Sequence, residues 1–148
     1  MTRRNQILII TTMNLNKITL AALAGAFCFT VGVKADDVKL PPASDKKDLT
    51  YATDIKPIFD ESCVKCHSGD RAKARLHMDT LEGVLKGTKE GKIVTAGDSA
   101  NSFIVKSIAH ATEEQDSWMP PIGNKAGIKP LTADKIGLIR AWIDQGAK

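Results

Sequence analysis

The chain has 148 residues, which suits one ordinary globular domain with a short appendage and excludes two full domains. All 17 acidic residues follow position 35, whereas four of the 21 basic residues precede it, so the remaining chain has equal numbers of both. Such a chain lacks the basic face that binding to nucleic-acid phosphates requires, which sets that function class aside.

The N-terminal segment has the composition of an export signal. Lys17 supplies a positive charge, residues 18–33 (ITLAALAGAFCFTVGV) are apolar and mostly small, and VKA ending at Ala35 is a small-residue cleavage site. The apolar stretch is shorter than the roughly 20 residues of a membrane-spanning helix, which favours cleavage over an anchor. We therefore predict a cleaved signal peptide over 1–35.

Cleavage of that signal predicts export to the periplasm and no stable membrane insertion of the mature chain. Translation could start at Met1 or at Met13, which begins an otherwise complete signal. Lipid attachment at Cys28 is disfavoured by the bulky Phe27 before it, and Cys28 is lost with the signal.

The next segment, residues 36–48 (DDVKLPPASDKKD), is charged and proline-bearing and is predicted to be a flexible tether. The folded domain is predicted to span 49–148. A first helix is expected to begin there with Thr53 as its N-cap and Asp54 in its first turn, and to lead into the cysteines.

Three further short helices are predicted from capping residues and from helical spacing of apolar residues. They lie over 79–87 with an Asp79 cap and a Gly87 stop, over 99–111 with a Ser99 or Asn101 cap, and over 132–146 with a Thr132 cap. Residues 116–130 contain three prolines, which excludes a regular helix or central strand. The pattern predicts a small all-α domain of four to five short helices with long irregular loops, whose thin core a bound group would complete.

The motif CVKCH places Cys63, Cys66 and His67 at the spacing of a c-type haem attachment site. Two thiols on one turn can add to the two vinyl groups of one porphyrin, while the adjacent imidazole is aimed at the iron. With Cys28 removed, the mature chain has no other cysteine. We therefore predict one covalent haem c, with thioethers at Cys63 and Cys66 and His67 as an iron ligand.

Three other interpretations of the motif remain open. A thioredoxin-like dithiol also uses CxxC, but in a βαβ setting that this sequence lacks. Structural zinc could take Cys63, Cys66, His67 and His77, although adjacent Cys66 and His67 fit a closed tetrahedral site poorly. A small-loop disulfide is possible in an oxidising compartment, but it explains neither His67 nor the loops.

The second axial ligand of the iron must come from elsewhere, and the candidates are Met78, Met119, His77 and His110. Met119 is favoured because it begins MPP, where prolines stiffen the backbone and can hold a thioether in place. The alternative is a core methionine beside Trp118.

Residues 49–148 resemble a cytochrome c domain, and more narrowly the planctomycete-type cytochrome c domains. Four ordered blocks carry the resemblance: IKPIFDESCVKCHSGDRAKARLHMDTLEGVLKG, IVTAGDSANSFIVKSI, WMPP and LTADKIGLIRAWIDQGA. The resemblance implies a small cytochrome c fold around a covalently bound haem, with thioethers at Cys63 and Cys66 and axial ligation by His67 and Met119. AGD at 96–98 departs from the family pattern, which puts the shape of that loop in doubt.

The resemblance also implies that the first and last helices cross. Ile55, Ile58 and Phe59 are then expected to meet Leu138, Ala141 and Trp142. Arg75 is expected to be exposed, with pairing to a haem propionate as the alternative.

The predicted function is that of a monohaem c-type cytochrome that carries single electrons between redox protein partners, without being an enzyme. Two axial ligands from the chain leave no iron position for a substrate. The alternatives are a small peroxidase-like haem enzyme with a labile sixth ligand, and an interaction module without haem.

Overall fold

The computed structural model describes residues 39–148. The predicted signal peptide, both possible starts, Cys28 and the first three residues of the predicted tether lie outside the described residues. Within them the chain forms four short α-helices joined by long loops and has no strand, which confirms the all-α expectation. None of the described helices is long and apolar enough to cross a membrane.

The helix before the cysteines begins earlier than predicted. Thr50, not Thr53, is its N-cap, because the Thr50 hydroxyl accepts the Thr53 N–H at 3.3 Å. The Asp54 carboxylate reaches back to the Thr50 N–H at 3.0 Å, so both ends of this cap are satisfied. A π-helical turn, Tyr51–Ile55, follows and continues as helix α1, Lys56–Ser62.

Helix α2 spans Leu81–Lys86, and its N-cap is Thr80 instead of the predicted Asp79. The Thr80 hydroxyl accepts the Gly83 N–H at 3.1 Å, which is the three-residue separation that a cap requires. The predicted end at Gly87 is confirmed: its φ of +83° is a conformation that favours glycine.

Helix α3 spans Phe103–Ile108, so neither Ser99 nor Asn101 is its N-cap. Both residues are bonded elsewhere. Ser99 binds the Asp144 carboxylate through its N–H at 2.8 Å and its hydroxyl at 3.0 Å, and the Asn101 side chain donates to Asp98 at 2.7 Å. Ser99 and Asn101 are thus residue types that cap helices well, but here they bond to Asp144 and Asp98 and not to α3.

Helix α4, Ala133–Asp144, begins after Thr132, whose hydroxyl accepts the Lys135 N–H at 3.4 Å, as predicted. The proline-rich segment before it contains no α-helix and only one 3-10 turn at its start, Gln115–Ser117. Residues 118–131 of this loop have no regular secondary structure.

The core lies where the start of the domain meets its end. Helix α4 contacts the π-helical turn, and the Tyr51 ring lies 6.1 Å from Trp142 and 6.2 Å from Phe59 between ring centroids. Of the six residues predicted to meet there, five are buried and Leu138 is partly buried. Packing between the first and last helical segments is thus confirmed, and the π-helical turn makes most of it.

The described part of the predicted tether packs on the domain instead of extending away from it. Residues 40–48, here called the strap, have no regular structure but lie along α4. Three hydrogen bonds join the two: Ser44 N–H to the Gly137 carbonyl at 2.9 Å, Gln145 Nε2 to the Lys46 carbonyl at 2.9 Å, and Arg140 Nη1 to the Pro41 carbonyl.

Candidate functional site

Helix α1 delivers the two cysteines and the histidine into one tight turn. The Cys63 N–H donates to the Phe59 carbonyl at 2.8 Å, which extends the helical pattern to the first cysteine. The Cys63 carbonyl then accepts both the Cys66 N–H and the His67 N–H, each at 3.0 Å. Three residues predicted to act together therefore lie on a single hydrogen-bonded turn.

The His67 ring is oriented by a main-chain acceptor. Its Nδ1 lies 3.1 Å from the Lys73 carbonyl oxygen. A carbonyl can only accept, so Nδ1 carries the proton and Nε2 keeps the lone pair that binds a metal. Burial lowers the pKa of His67, and the hydrogen bond to Lys73 opposes this only in part, so the ring is neutral near pH 7.

The two thiols differ in their surroundings. Cys63 is buried, and burial together with the nearby Cys66 raises its pKa to about 12. Cys66 is half-buried, and both cysteines are free thiols in the structure, so the small-loop disulfide is not formed. The turn therefore carries a buried, protonated thiol at Cys63 and a more accessible thiol at Cys66.

The zinc interpretation finds no geometric support in residues 39–148. This part of the chain contains no group of three or more His, Cys, Asp or Glu side chains arranged to hold a metal ion. His77 therefore does not join Cys63, Cys66 and His67 in a tetrahedral site.

Met78 is buried and tied directly to the cysteine turn. Its N–H donates to the His67 carbonyl at 2.8 Å, and its own carbonyl accepts the Tyr51 hydroxyl at 2.8 Å. Burial, and then the carboxylates of Asp60 and Asp79, raise the pKa of Tyr51 to about 12. The main chain of Met78 is thus tied both to the cysteine turn and to Tyr51.

Met119 is held by a different part of the fold. Its N–H donates to the Ser107 carbonyl at 3.0 Å, which attaches the proline-rich loop to the end of α3. Its side chain is partly buried and packs against the hydrophobic core that also contains Cys63. Of the two methionines considered as ligands, only Met119 comes from a segment that is separate from the cysteine turn.

The two other candidate ligands are partly buried. His110 follows α3, and its ring stacks on that of Trp118 with a centroid distance of 5.0 Å and an interplanar angle of 8°. His77 borders a cavity of about 430 Å³ together with Arg75, Lys86 and Lys89. Arg75 is exposed, as expected.

Comparison with protein families gives the decisive observation. Residues 63–123 match the family model described as planctomycete cytochrome C. The matched segment starts at Cys63 and includes the whole turn, the loop behind it and Met119. Over residues 63–123 the chain is therefore similar to the planctomycete cytochrome C family. No curated protein and no solved structure matches the chain.

The family match suggests a c-type haem protein, and cytochrome c domains generally transfer electrons. The residues of the domain fit such a group. Three buried side-chain polar atoms in the described part of the chain have no hydrogen-bond partner: Asp79 Oδ1, Ser107 Oγ and His110 Nε2. Buried polar atoms are normally paired, so unpaired ones next to Met78 and around Met119 fit a site completed by haem and its waters.

Several residues that hold the candidate site were not found from the sequence. Lys73 and Ser107 act through main-chain carbonyls, which every residue type has, so the sequence gives no signal for them. Tyr51 acts through its hydroxyl, and it is the only tyrosine of the chain. A buried tyrosine hydroxyl usually donates a hydrogen bond, so the sequence did offer a signal for Tyr51.

Proposed function

We propose that the chain is a monohaem c-type cytochrome that carries single electrons between redox protein partners in the periplasm, and that it is not an enzyme. Cys63 and Cys66 form the thioethers, and His67 and Met119 are the axial ligands. Support comes from the family match, the shared turn and the separate anchoring of Met119.

The observation that carries this proposal is the contact between His67 Nδ1 and the Lys73 carbonyl. Metal-binding histidines usually donate their second ring nitrogen to a carbonyl or carboxylate, which fixes the tautomer and the ring orientation. The low pKa of His67 adds to this, because a neutral ring needs no deprotonation before Nε2 binds iron.

Met119 is preferred over Met78 on geometric grounds. A second axial ligand must approach the porphyrin from the face opposite His67. The Met78 N–H is bonded to the His67 carbonyl itself, whereas Met119 is anchored to the end of α3. On this ground Met119, and not Met78, would hold the iron together with His67.

Haem c, when bound, supplies a one-electron iron couple, which a histidine and methionine ligand pair holds at a higher potential than two nitrogen ligands do. The chain contributes both axial side chains, so no iron position is left for a substrate. That favours an electron carrier over a peroxidase-like enzyme.

The test uses protein made in a host that attaches haem c. Wild-type protein should keep its pigment after denaturation and solvent extraction, and a C63A/C66A variant should lose it. Oxidised wild-type protein should show the methionine-to-iron charge-transfer band. M119L should abolish this band, because leucine keeps the volume but has no sulfur.

M78L is the matched control, because it makes the same exchange at the methionine whose main chain is bonded to His67, and its band should persist. Loss of the band in M78L but not in M119L would remove Met119 from the iron. A wild-type protein without the band that reacts rapidly with peroxide would favour the haem enzyme. A colourless protein containing zinc would favour the interaction module.

A further inference from the structure

His110 occupies the position at the end of α3 where glycine is usual. The Ala111 N–H donates to the Lys106 carbonyl at 2.8 Å, and the His110 N–H donates to the Ser107 carbonyl at 3.2 Å. This pair of bonds is the Schellman motif, in which one residue adopts a left-handed conformation. His110 is that residue, with a φ of +53°.

A side chain at this position costs stability, because the left-handed conformation crowds Cβ in every residue except glycine. Glycine would end α3 with less strain. A favourable contact of the His110 side chain can offset this strain.

The side chain of His110 makes one well-defined contact, with Trp118. The two rings are nearly parallel, at 8° and 5.0 Å between centroids. Trp118 is itself fixed, because its Nε1 donates to the Thr112 carbonyl at 3.1 Å. The stack thus ties the end of α3 to the residue that immediately precedes Met119.

The main chain makes a second link between the same two segments. The Ser107 carbonyl that accepts the His110 N–H also accepts the Met119 N–H at 3.0 Å. His110 and Met119 therefore share one acceptor, which links the backbone at 110 to the anchor of Met119. The set Ser107, His110 and Trp118 is here called the distal clamp.

We propose that His110 is a positioning residue for Met119: through its stack on Trp118 and the shared Ser107 carbonyl, it holds Met119 in the place from which its sulfur binds the iron. This inference rests on the proposed function, since it requires Met119 as the axial ligand. It assigns no iron contact to His110 itself.

The test compares H110G and H110F with the wild type by titrating the oxidised haem protein with imidazole, which competes with Met119 for the iron. H110G removes the ring and relieves the backbone. Loss of one aromatic stack should let imidazole bind about tenfold more tightly. H110F keeps a flat ring that can stack on Trp118, and its imidazole affinity should stay within about twofold of wild type.

Thermal unfolding separates this role from simple helix termination. H110G should melt close to wild type, because relief of the left-handed strain opposes the loss of the stack on Trp118. D48G is the matched control: Asp48 also has a left-handed φ, of +55°, but it is exposed and lies in the strap. Its imidazole affinity should equal that of wild type.

Two results would overturn the inference: an H110G protein with wild-type imidazole affinity, or an H110F protein that binds imidazole as tightly as H110G. If the wild-type protein shows the charge-transfer band and M119L abolishes it, such a result counts against the distal clamp alone. If the wild-type protein has no such band, both the proposed function and the clamp are wrong.

Discussion

Tyr51 connects the start of the fold to the loop behind the candidate haem turn. Its hydroxyl donates to the Met78 carbonyl, and the Met78 N–H donates to the His67 carbonyl, both at 2.8 Å. A buried hydroxyl with a main-chain partner resists ionisation, because the anion would lose its water and repel nearby carboxylates. The pKa of Tyr51 reports directly on whether this connection is formed.

Tyr51 should ionise with a midpoint near pH 12 in the folded haem protein and near pH 10 once it is unfolded. The folded pKa is raised, so the folded state keeps a proton that the unfolded state releases between these values. The contribution of Tyr51 to stability is therefore complete below pH 10 and declines as the pH rises towards 12.

The measurement is the ultraviolet absorbance of phenolate, which belongs to this residue alone because the chain has one tyrosine. Y51F supplies the baseline and should show no such transition. A midpoint near pH 10 in folded protein would mean that the hydroxyl is solvated and that the link to Met78 is absent.

At the scale of helices, the caps are the elements for which sequence reasoning was least reliable. Three of four predicted N-caps were wrong by one to three residues, and only Thr132 was confirmed. Threonine, serine, asparagine and aspartate are all good caps, so where several lie close together the sequence offers more than one start. Which of these residues caps the helix depends on which of their side chains bond to another part of the fold.

The corrected start of the first helix can be tested by two alanine substitutions. T50A should lower the free energy of unfolding by about 1 kcal/mol, because it removes the acceptor for the Thr53 N–H. T53A, at an exposed position inside the turn, should change it by less than about 0.5 kcal/mol. Denaturant unfolding of both variants gives the comparison, and the reverse order of effects would restore Thr53 as the cap.

At the scale of the whole molecule, the strap and α4 form one unit. Gly137 lies in the middle of α4, where a side chain would usually favour the helix. A Cβ atom there would lie 2.8 Å from the Pro42 carbonyl oxygen of the strap. The close approach allows the Ser44 N–H to reach the Gly137 carbonyl, so the glycine serves packing and not the helix.

The effect of G137A on the free energy of unfolding should therefore change sign when the strap is removed. In a chain with the strap, the added methyl group should cost about 1–3 kcal/mol of unfolding free energy by overpacking. In a chain that begins at Leu49, the same substitution should stabilise by up to about 1 kcal/mol, because alanine favours the helix. A destabilising effect of equal size in both chains would show that the clash is not with the strap.

The sequence by itself determined the fold class and the candidate haem motif of this protein. The spacing of Cys63, Cys66 and His67, the helical period of α4 and the proline content of the loop are all local features of the chain. For this reason the all-α class and the haem motif could be predicted from the residues alone. These features depend on side-chain identity and on neighbours within a few positions, which is the information that a sequence displays.

Only the tertiary structure decided how the site is held. The acceptor for His67 is the carbonyl of Lys73, and the anchor of Met119 is the carbonyl of Ser107. Main-chain carbonyls are the same in every residue, so their roles follow from where the chain passes and not from residue type. The strap, read as a flexible tether from its composition, packs on α4 for the same reason: its bonds are made mainly by backbone groups whose partners lie almost a hundred residues away.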